Sequence, residues 1–423
     1  RKVHIYMIHD IYSSEQTRTT FLRAFSDLEL SKTLRKSGIR KSKGIPVMDV
    51  FKFLVLLVFQ GKNLYRFLDS DRGDTACSKN TVYRMLNIST YNWRRFLLLL
   101  ASKVIMSMKQ LTKPERVNVL VLDDTIIPRN RSKSVELLAR VHDHTSNRYK
   151  KGFTMLTLGW SDGYSFIPTD FAMLSSGNKS NRYQEVSESI DKRTNGYKRR
   201  VESMQKKSEV AVQLIKNTLN QGIEASYVLM DTWFTHEPLI KSCLEEGLDV
   251  IGMVKQMKQK YTYQGKQYEL KELRTLLPKC RNGNIIGSVL VTTKNGVPVK
   301  LVYVKNRNKK QDWLVILSTD CSLANEEIVR IYGNRWSIEV FFKSTKSLMK
   351  LGSEFQGRSY DMMISHTTIV LTRYIMTEWL RREEKDQKTF GELFFRFSDD
   401  IQDMDLITAL QNLMSIVVEA VSY

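Results

Sequence analysis

Val119-Leu120-Val121-Leu122-Asp123-Asp124-Thr125 is the stretch on which the fold turns. With Val117 it makes a near-continuous apolar run, the pattern of a central strand covered on both faces. Acids at the carboxyl end of such a strand stand where an α/β sheet opens its ligand crevice. Tyr227-Val228-Leu229-Met230-Asp231-Thr232 repeats the pattern, an apolar strand running into Asp-Thr. Either Asp alone is as readily a helix cap or turn residue. Two buried strands ending alike predict a shared site.

Outward from these strands, Phe153 to Gly159 and Tyr164 to Phe171 flank Trp160-Ser161-Asp162-Gly163 and predict a hairpin. The charged stretch from Lys179 to Lys207 is expected to be solvated and partly helical. Ser208 to Asn220 is an amphipathic helix, with Val210, Ala211, Leu214, Ile215 and Leu219 on one face. Ala225 to Met230, Leu248 to Val254 and Trp313 to Ser318 read as strands, and Pro238 to Glu246 as a helix. The order predicts an α/β fold with a mixed sheet. Between Lys255 and Gln311 turn chemistry takes over: Asn295-Gly296 and Gln264-Gly265-Lys266 each centre a hairpin, so 255–311 is expected to be a β-rich insertion.

Asn325 to about Leu351 reads as one long helix carrying Tyr332, Arg335, Glu339 and Lys346. At about 100° per residue these four fall within a stripe about 60° wide. Ile331, Trp336, Ile338, Val340, Phe341 and Phe342 make the rest apolar, so burial is expected, and a buried polar stripe needs partners. One set of partners is internal, an ion-pair ladder of Arg335 with Glu339 and Glu339 with Lys343. The other is a site in which Glu339 joins the two strand-end aspartates around a metal while Tyr332, Arg335 and Lys346 hold phosphates.

The bulk properties favour phosphate. The chain has 423 residues with 66 Lys plus Arg against 45 Asp plus Glu, a net charge of +21 that points to a polyanion. Residues 1–116 hold 22 basic and 9 acidic residues, whereas 383–405 holds eight acidic and three basic. Cys77, Cys243, Cys280 and Cys321 form no C-x-x-C, which sets aside a zinc ribbon or disulfide framework and suits a reducing cytoplasm. No apolar run reaches the length of about 20 residues that a bilayer requires. No G-x-x-x-x-G-K-[ST] occurs, which argues against a P-loop ATPase. Paired carboxylates also serve glycoside hydrolases, but the basic setting argues against sugar. His142-x-His144 beside Asp143 lacks a further ligand pattern and is read as a solvated loop.

Residues 1–115 read as helical. Arg35, Lys36, Arg40, Lys41 and Lys43 form an unopposed basic run. A short helix starting within Asp74 to Ala76 and a second over Ser78 to Leu86 resemble a helix-turn-helix around 74–88. The second would be capped by Ser78 or Asn80, bury Val82, Met85 and Leu86, and present Lys79, Thr81 and Arg84 to DNA. An ordinary helical pair with solvated charges fits as well.

Asp124-Thr125, Asp231-Thr232 and Tyr332-x2-Arg335-x3-Glu339-x6-Lys346 resemble the DDE transposases of bacterial insertion sequences that carry the Tyr-Arg-Glu-Lys signature. Lys151-Gly152-Phe153, Leu158-Gly159-Trp160-Ser161-Asp162-Gly163 and Asp231-Thr232-Trp233-Phe234 look like that family too. The resemblance covers roughly residues 117 to 380. It implies an RNase H-like mixed-sheet core in a catalytic domain at 116–380, with the β-rich insertion at 255–311. A helical DNA-binding domain at 1–115 would precede it, and a helical C-terminal region at 381–423, a candidate dimer contact, would follow. Asp123 and Asp124 should point to opposite sides of their strand, and the family's Asp-Thr pairing selects Asp124.

The resemblance further implies that Asp124, Asp231 and Glu339 bind Mg²⁺, with Mn²⁺ as a substitute and two ions in the site. Tyr332, Arg335 and Lys346 would contact DNA phosphates. Trp313 is the candidate aromatic for an extruded base, with a packed core tryptophan as the alternative. The expected activity is cut-and-paste DNA transposition on transposon-end inverted repeats and target DNA, by a homodimer in the bacterial cytoplasm beside the nucleoid, without a membrane. The rivals are a DNA-binding repressor or remnant without chemistry and a metal-dependent nuclease that never joins strands.

Overall fold

The computed structural model describes residues 20–404, apart from 71–76, 114–115, 144–146, 257–258, 278–282, 307–308, 310–311, 355–356 and 384–387. Its amino-terminal part is helical: α1 (Thr20–Asp27), α2 (Leu30–Lys36), α3 (Val47–Leu57), α4 (Leu64–Leu68), α5 (Lys79–Leu86) and α6 (Trp93–Leu111). The strands are β1 (Val119–Pro128), β2 (Ala139–Asp143), β3 (Arg148–Ser161), β4 (Phe166–Leu174), β5 (Tyr227–Met230), β6 (Asp249–Val254), β7 (Lys260–Tyr263), β8 (Lys266–Glu269), β9 (Ile285–Thr292), β10 (Pro298–Lys305) and β11 (Trp313–Ser318). Helices α7 (Asn195–Ser203), α8 (Lys207–Asn220), α9 (Glu237–Glu245) and α10 (Leu270–Leu276) intervene, and α11 (Asn325–Gly333), α12 (Trp336–Ser347) and α13 (Tyr360–Glu383) follow. Residues 390–404 are also helical.

Val119 to Leu122 are fully buried, and β1 is central as its apolar run requires. It pairs antiparallel with β3 on one edge and parallel with β5 on the other. The 14-residue β3 carries β2 and β4 end to end on its far edge, and β6 continues the sheet parallel to β5. The core order β4-β3-β1-β5-β6, antiparallel then parallel, is the RNase H-like mixed sheet that was expected.

The segment 255–311 does form the two expected hairpins, β7–β8 and β9–β10, with Gly265 and Gly296 at positive φ in their turns. It is not a separate layer. Strand β11 pairs with β6 on one side and β10 on the other, so the insertion extends the core sheet to eleven strands. Turn chemistry is local and shows in sequence; which edge a hairpin joins is settled by distant partners.

Three further differences have physical reasons. The expected long helix is two, α11 and α12, because Asn334 and Arg335 bond three residues back (Asn334 N to Ile331 O, Arg335 N to Tyr332 O, both 3.0 Å) and overwind the chain there. Nor is that helix buried all round, since Trp336 and Val340 are exposed. The stretch 179–207 is only partly solvated. Arg199, Arg200 and Glu202 of α7 are buried because they pair inside the molecule, Arg200 with Glu136 (2.6 Å) and Asp361 (2.7 Å), Arg199 with Glu202 (3.2 Å). On α8 the buried stripe ends on Thr218, which bonds Thr169 (3.0 Å), rather than on Leu219.

Helix α13 joins the regions. It packs against α6, α3, α1 and β4, and a single apolar core runs from Phe21 to Met404. Its Arg373, fully buried, donates to the carbonyls of Leu54 and, at 3.0 Å, Val55 at the end of α3. It also pairs with Glu354 (2.7 Å), which meets His366 (3.2 Å). The described helices before β1 therefore share their interior with the sheet. Among the described residues no helix is long and apolar enough to cross a membrane.

Candidate active site

The pairing register decides which aspartate faces which. Leu122 is aligned with Met230 on the parallel neighbours β1 and β5, so the next residues, Asp123 and Asp231, come level on the same face. Asp123 does face Asp231. Burial and that neighbouring carboxylate push the Asp123 carboxyl up to about 7, against the opposing pull of Arg335 and the Asp124 N–H. Asp231 is held by its own turn, accepting from the N–H groups of Trp233 (2.9 Å) and Phe234 (3.2 Å).

Helix α12 covers this face. Arg335, at its N-terminal junction, donates to Asp123 Oδ2 at 2.9 Å and to Glu339 Oε1, bridging the two acids. Tyr332 is buried beside them and bonded to Arg335, and burial raises its phenol to about 12. Lys346, further along α12, donates to Thr125 Oγ1 at 2.6 Å, the residue two beyond Asp123 and thus on the same side of the strand. The stripe Tyr332, Arg335, Glu339 and Lys346 therefore meets the middle of β1, which runs on past Asp123 to Pro128, beside the end of β5, and the Arg335–Glu339 pair of the internal ladder forms within it.

Asp124, the aspartate selected by the Asp-Thr pairing, lines the same cleft but lies on the other side of its strand. Strand alternation turns it toward α8, where its carboxylate pairs with Lys207 Nζ at 3.1 Å. Lys207 lies 3.8 Å from the ring centre of Trp233, so this second cluster borders the first. Lys207 was not singled out from sequence: it closes a charged stretch, and nothing local says which of its lysines turns inward.

Both clusters open into a cleft of about 1000 Å³ lined by Asp123, Asp124, Thr125, Asp231, Trp233 and the lysines 150, 207, 255 and 346. His142 and Asp143 line it too, from the end of β2, with Asp143 paired to Lys150 at 2.6 Å; they are strand residues of the cleft rather than a solvated loop, and His144 lies outside the described residues. Among the described residues no three His, Cys, Asp or Glu side chains stand together at metal-binding spacing. Arg335 occupies the space between Asp123 and Glu339. The donor set still suits a hard divalent cation. It consists of carboxylate oxygens, and two of them share a positive charge where they converge.

The other expected residues lie apart. Trp313, half-buried at the start of β11, packs its ring 5.3 Å from Tyr303 with Arg274 5.5 Å over it. On α5, capped by Ser78, Val82, Met85 and Leu86 are buried; Lys79 and Arg84 are exposed and Thr81 is half-buried. The preceding short helix expected at 74–76 lies outside the described residues, as does 405–423 of the C-terminal region. Lys41, Thr81 and Arg84 border one small surface depression, so the basic run and the helix share a face.

The model of the DDE superfamily endonuclease matches residues 55–265, which hold Asp123 and Asp231. That of the transposase DDE domain matches residues 205–372, which hold Asp231 and Glu339. No curated protein matches the chain. Among solved structures, the Drosophila P element transposase strand transfer complex is similar at 11% identity and a TM-score of 0.25, over 89% of this chain and 91% of that one. A DDE superfamily endonuclease domain and a transposase DDE domain are thus recognised in this chain, and between them they contain the whole carboxylate site.

Proposed function

We propose that the chain is the DNA transposase of a bacterial insertion sequence, cutting element ends and joining them to target DNA as a homodimer, by cut and paste, in the cytoplasm. The observation that carries this reading is Asp123 level with Asp231, and Glu339 tied to Asp123 through Arg335, within matched DDE domains. Asp123, Asp231 and Glu339 would hold two Mg²⁺ ions, or Mn²⁺ in their place. Bound there, the ions would make water a nucleophile near neutral pH and offset charge on the phosphodiester.

The protein's own groups do the rest. Asp123 sheds its proton before it can act as a ligand. Asp231 is kept in one orientation by two backbone N–H groups. Lys346 and Arg335 meet phosphate oxygens near the scissile bond, Arg335 with a two-pronged donor geometry that lysine lacks, and Tyr332 orients Arg335. Lys150 and Lys255 extend the basic lining along the cleft. Lys79, Thr81 and Arg84, with the basic run at 35–43, would hold the ends. Water attacks first and frees a 3′-hydroxyl, which then attacks a second phosphodiester.

The test is incubation of the purified chain with DNA bearing its element's ends, with Mg²⁺ or with a chelator. The expected result is metal-dependent cleavage and joined product, both lost in Asp231→Ala and Glu339→Gln. Cleavage surviving those changes contradicts the assignment. Cleavage without joining indicates a nuclease, and binding without either indicates a repressor.

A further inference from the structure

Every carboxylate in the cleft already has a partner. Asp124 has Lys207, Asp143 has Lys150, and Asp231 has two backbone N–H groups. Asp123 and Glu339, two of the three proposed metal ligands, share one cation, Arg335. Its two terminal nitrogens are divided between them, so the fork that would grip a phosphate is occupied. Arg335 cannot bridge the acids and hold DNA at once. Nor can the acids lose it without replacement, because two like charges brought together in a half-buried site need a counter-charge.

Resting on the transposase reading, we propose that Arg335 is a place-holder for the metal: it bridges Asp123 and Glu339 in the free protein and moves onto a DNA phosphate when a divalent cation takes its place. The exchange keeps a cation on the two acids throughout. The metal enters as the guanidinium leaves, and the guanidinium finds a new anion in the phosphodiester. Metal and DNA then favour each other's binding, by the same factor in both directions. A second consequence follows from the competition itself. Arg335 lowers the affinity of the DNA-free protein for metal.

The experiment is calorimetric titration of the full chain with Ca²⁺, with and without a short duplex DNA of arbitrary sequence, after subtracting Ca²⁺ binding by the duplex alone. In the wild type, DNA should tighten Ca²⁺ binding at least about fivefold, and Ca²⁺ should tighten DNA binding equally. The log-log salt dependence of DNA binding should also steepen by about 0.9 for the phosphate that Arg335 gains. Arg335→Gln should bind Ca²⁺ more tightly than the wild type without DNA, an effect that direct contact between metal and phosphate would not produce. Arg335→Lys, one cation that cannot bridge both acids, serves the same comparison if the glutamine variant fails to fold. Ca²⁺ binding that ignores DNA, or is no tighter in either variant, overturns the exchange and leaves the transposase reading standing. No Ca²⁺ binding in any condition overturns both.

Discussion

Asp123 and Asp124 are chemically identical neighbours with opposite surroundings. The Asp-Thr ending of each strand was legible in sequence; which of two adjacent acids faces the site was not. Alternation guarantees that one of them does, but the choice depends on the register between β1 and β5, some 100 residues apart in the chain. The raised Asp123 carboxyl carries a pH prediction. Its value lies above the ordinary 3.8, so the metal-free protein loses stability as pH rises from about 3.8 to about 7. Metal must displace that proton, so affinity should climb about tenfold per pH unit below 7 and level off above it. Calorimetry in buffers of different ionisation enthalpy would detect the released proton. Affinity that is flat from pH 5 to 8 would contradict the environment described for Asp123.

At the scale of elements, hairpins were the most legible features, since Asn295-Gly296 marks the turn and Gly296 supplies the positive φ that closes its three-residue loop. The division of α11 from α12 was not legible. Gly333-Asn334 is a weak break within a strongly apolar pattern, and the bonds three residues back that tighten it leave no mark in the sequence. The family-like Lys151-Gly152-Phe153 now has a structural reason. A Cβ on Gly152 would meet the Ile127 carbonyl oxygen at 2.3 Å, where β3 approaches β1. Gly152→Ala should therefore destabilise by about 1–3 kcal/mol, because backbone cannot step aside as a side chain can. Urea denaturation would measure it, and a change under about 0.5 kcal/mol would contradict that close approach.

At the scale of the molecule, the apolar interior of the described residues is continuous through α13. Arg373, Glu354 and His366 sit at that junction. Burial alone would raise the Glu354 carboxyl, but Arg373 and His366 hold it down at about 2. Its stabilising contribution is therefore present above the ordinary value of 4.5 and lost as pH falls toward 2. Glu354→Gln strands a buried guanidinium and should cost about 3–5 kcal/mol in thermal or urea unfolding. A loss below about 1 kcal/mol would mean that the junction does not depend on this pair. The net charge of +21 also has a distribution: +13 (22 minus 9) lies in residues 1–116, and four more lysines line the cleft. The most direct measurement is cleavage of end-bearing DNA by Asp123→Asn and Asp124→Asn, compared side by side with Mg²⁺. Asp123→Asn should lose activity by at least about a hundredfold, while Asp124→Asn stays within about tenfold of the wild type, equivalent to about 1.4 kcal/mol. Full activity in Asp123→Asn with loss in Asp124→Asn would contradict the site described.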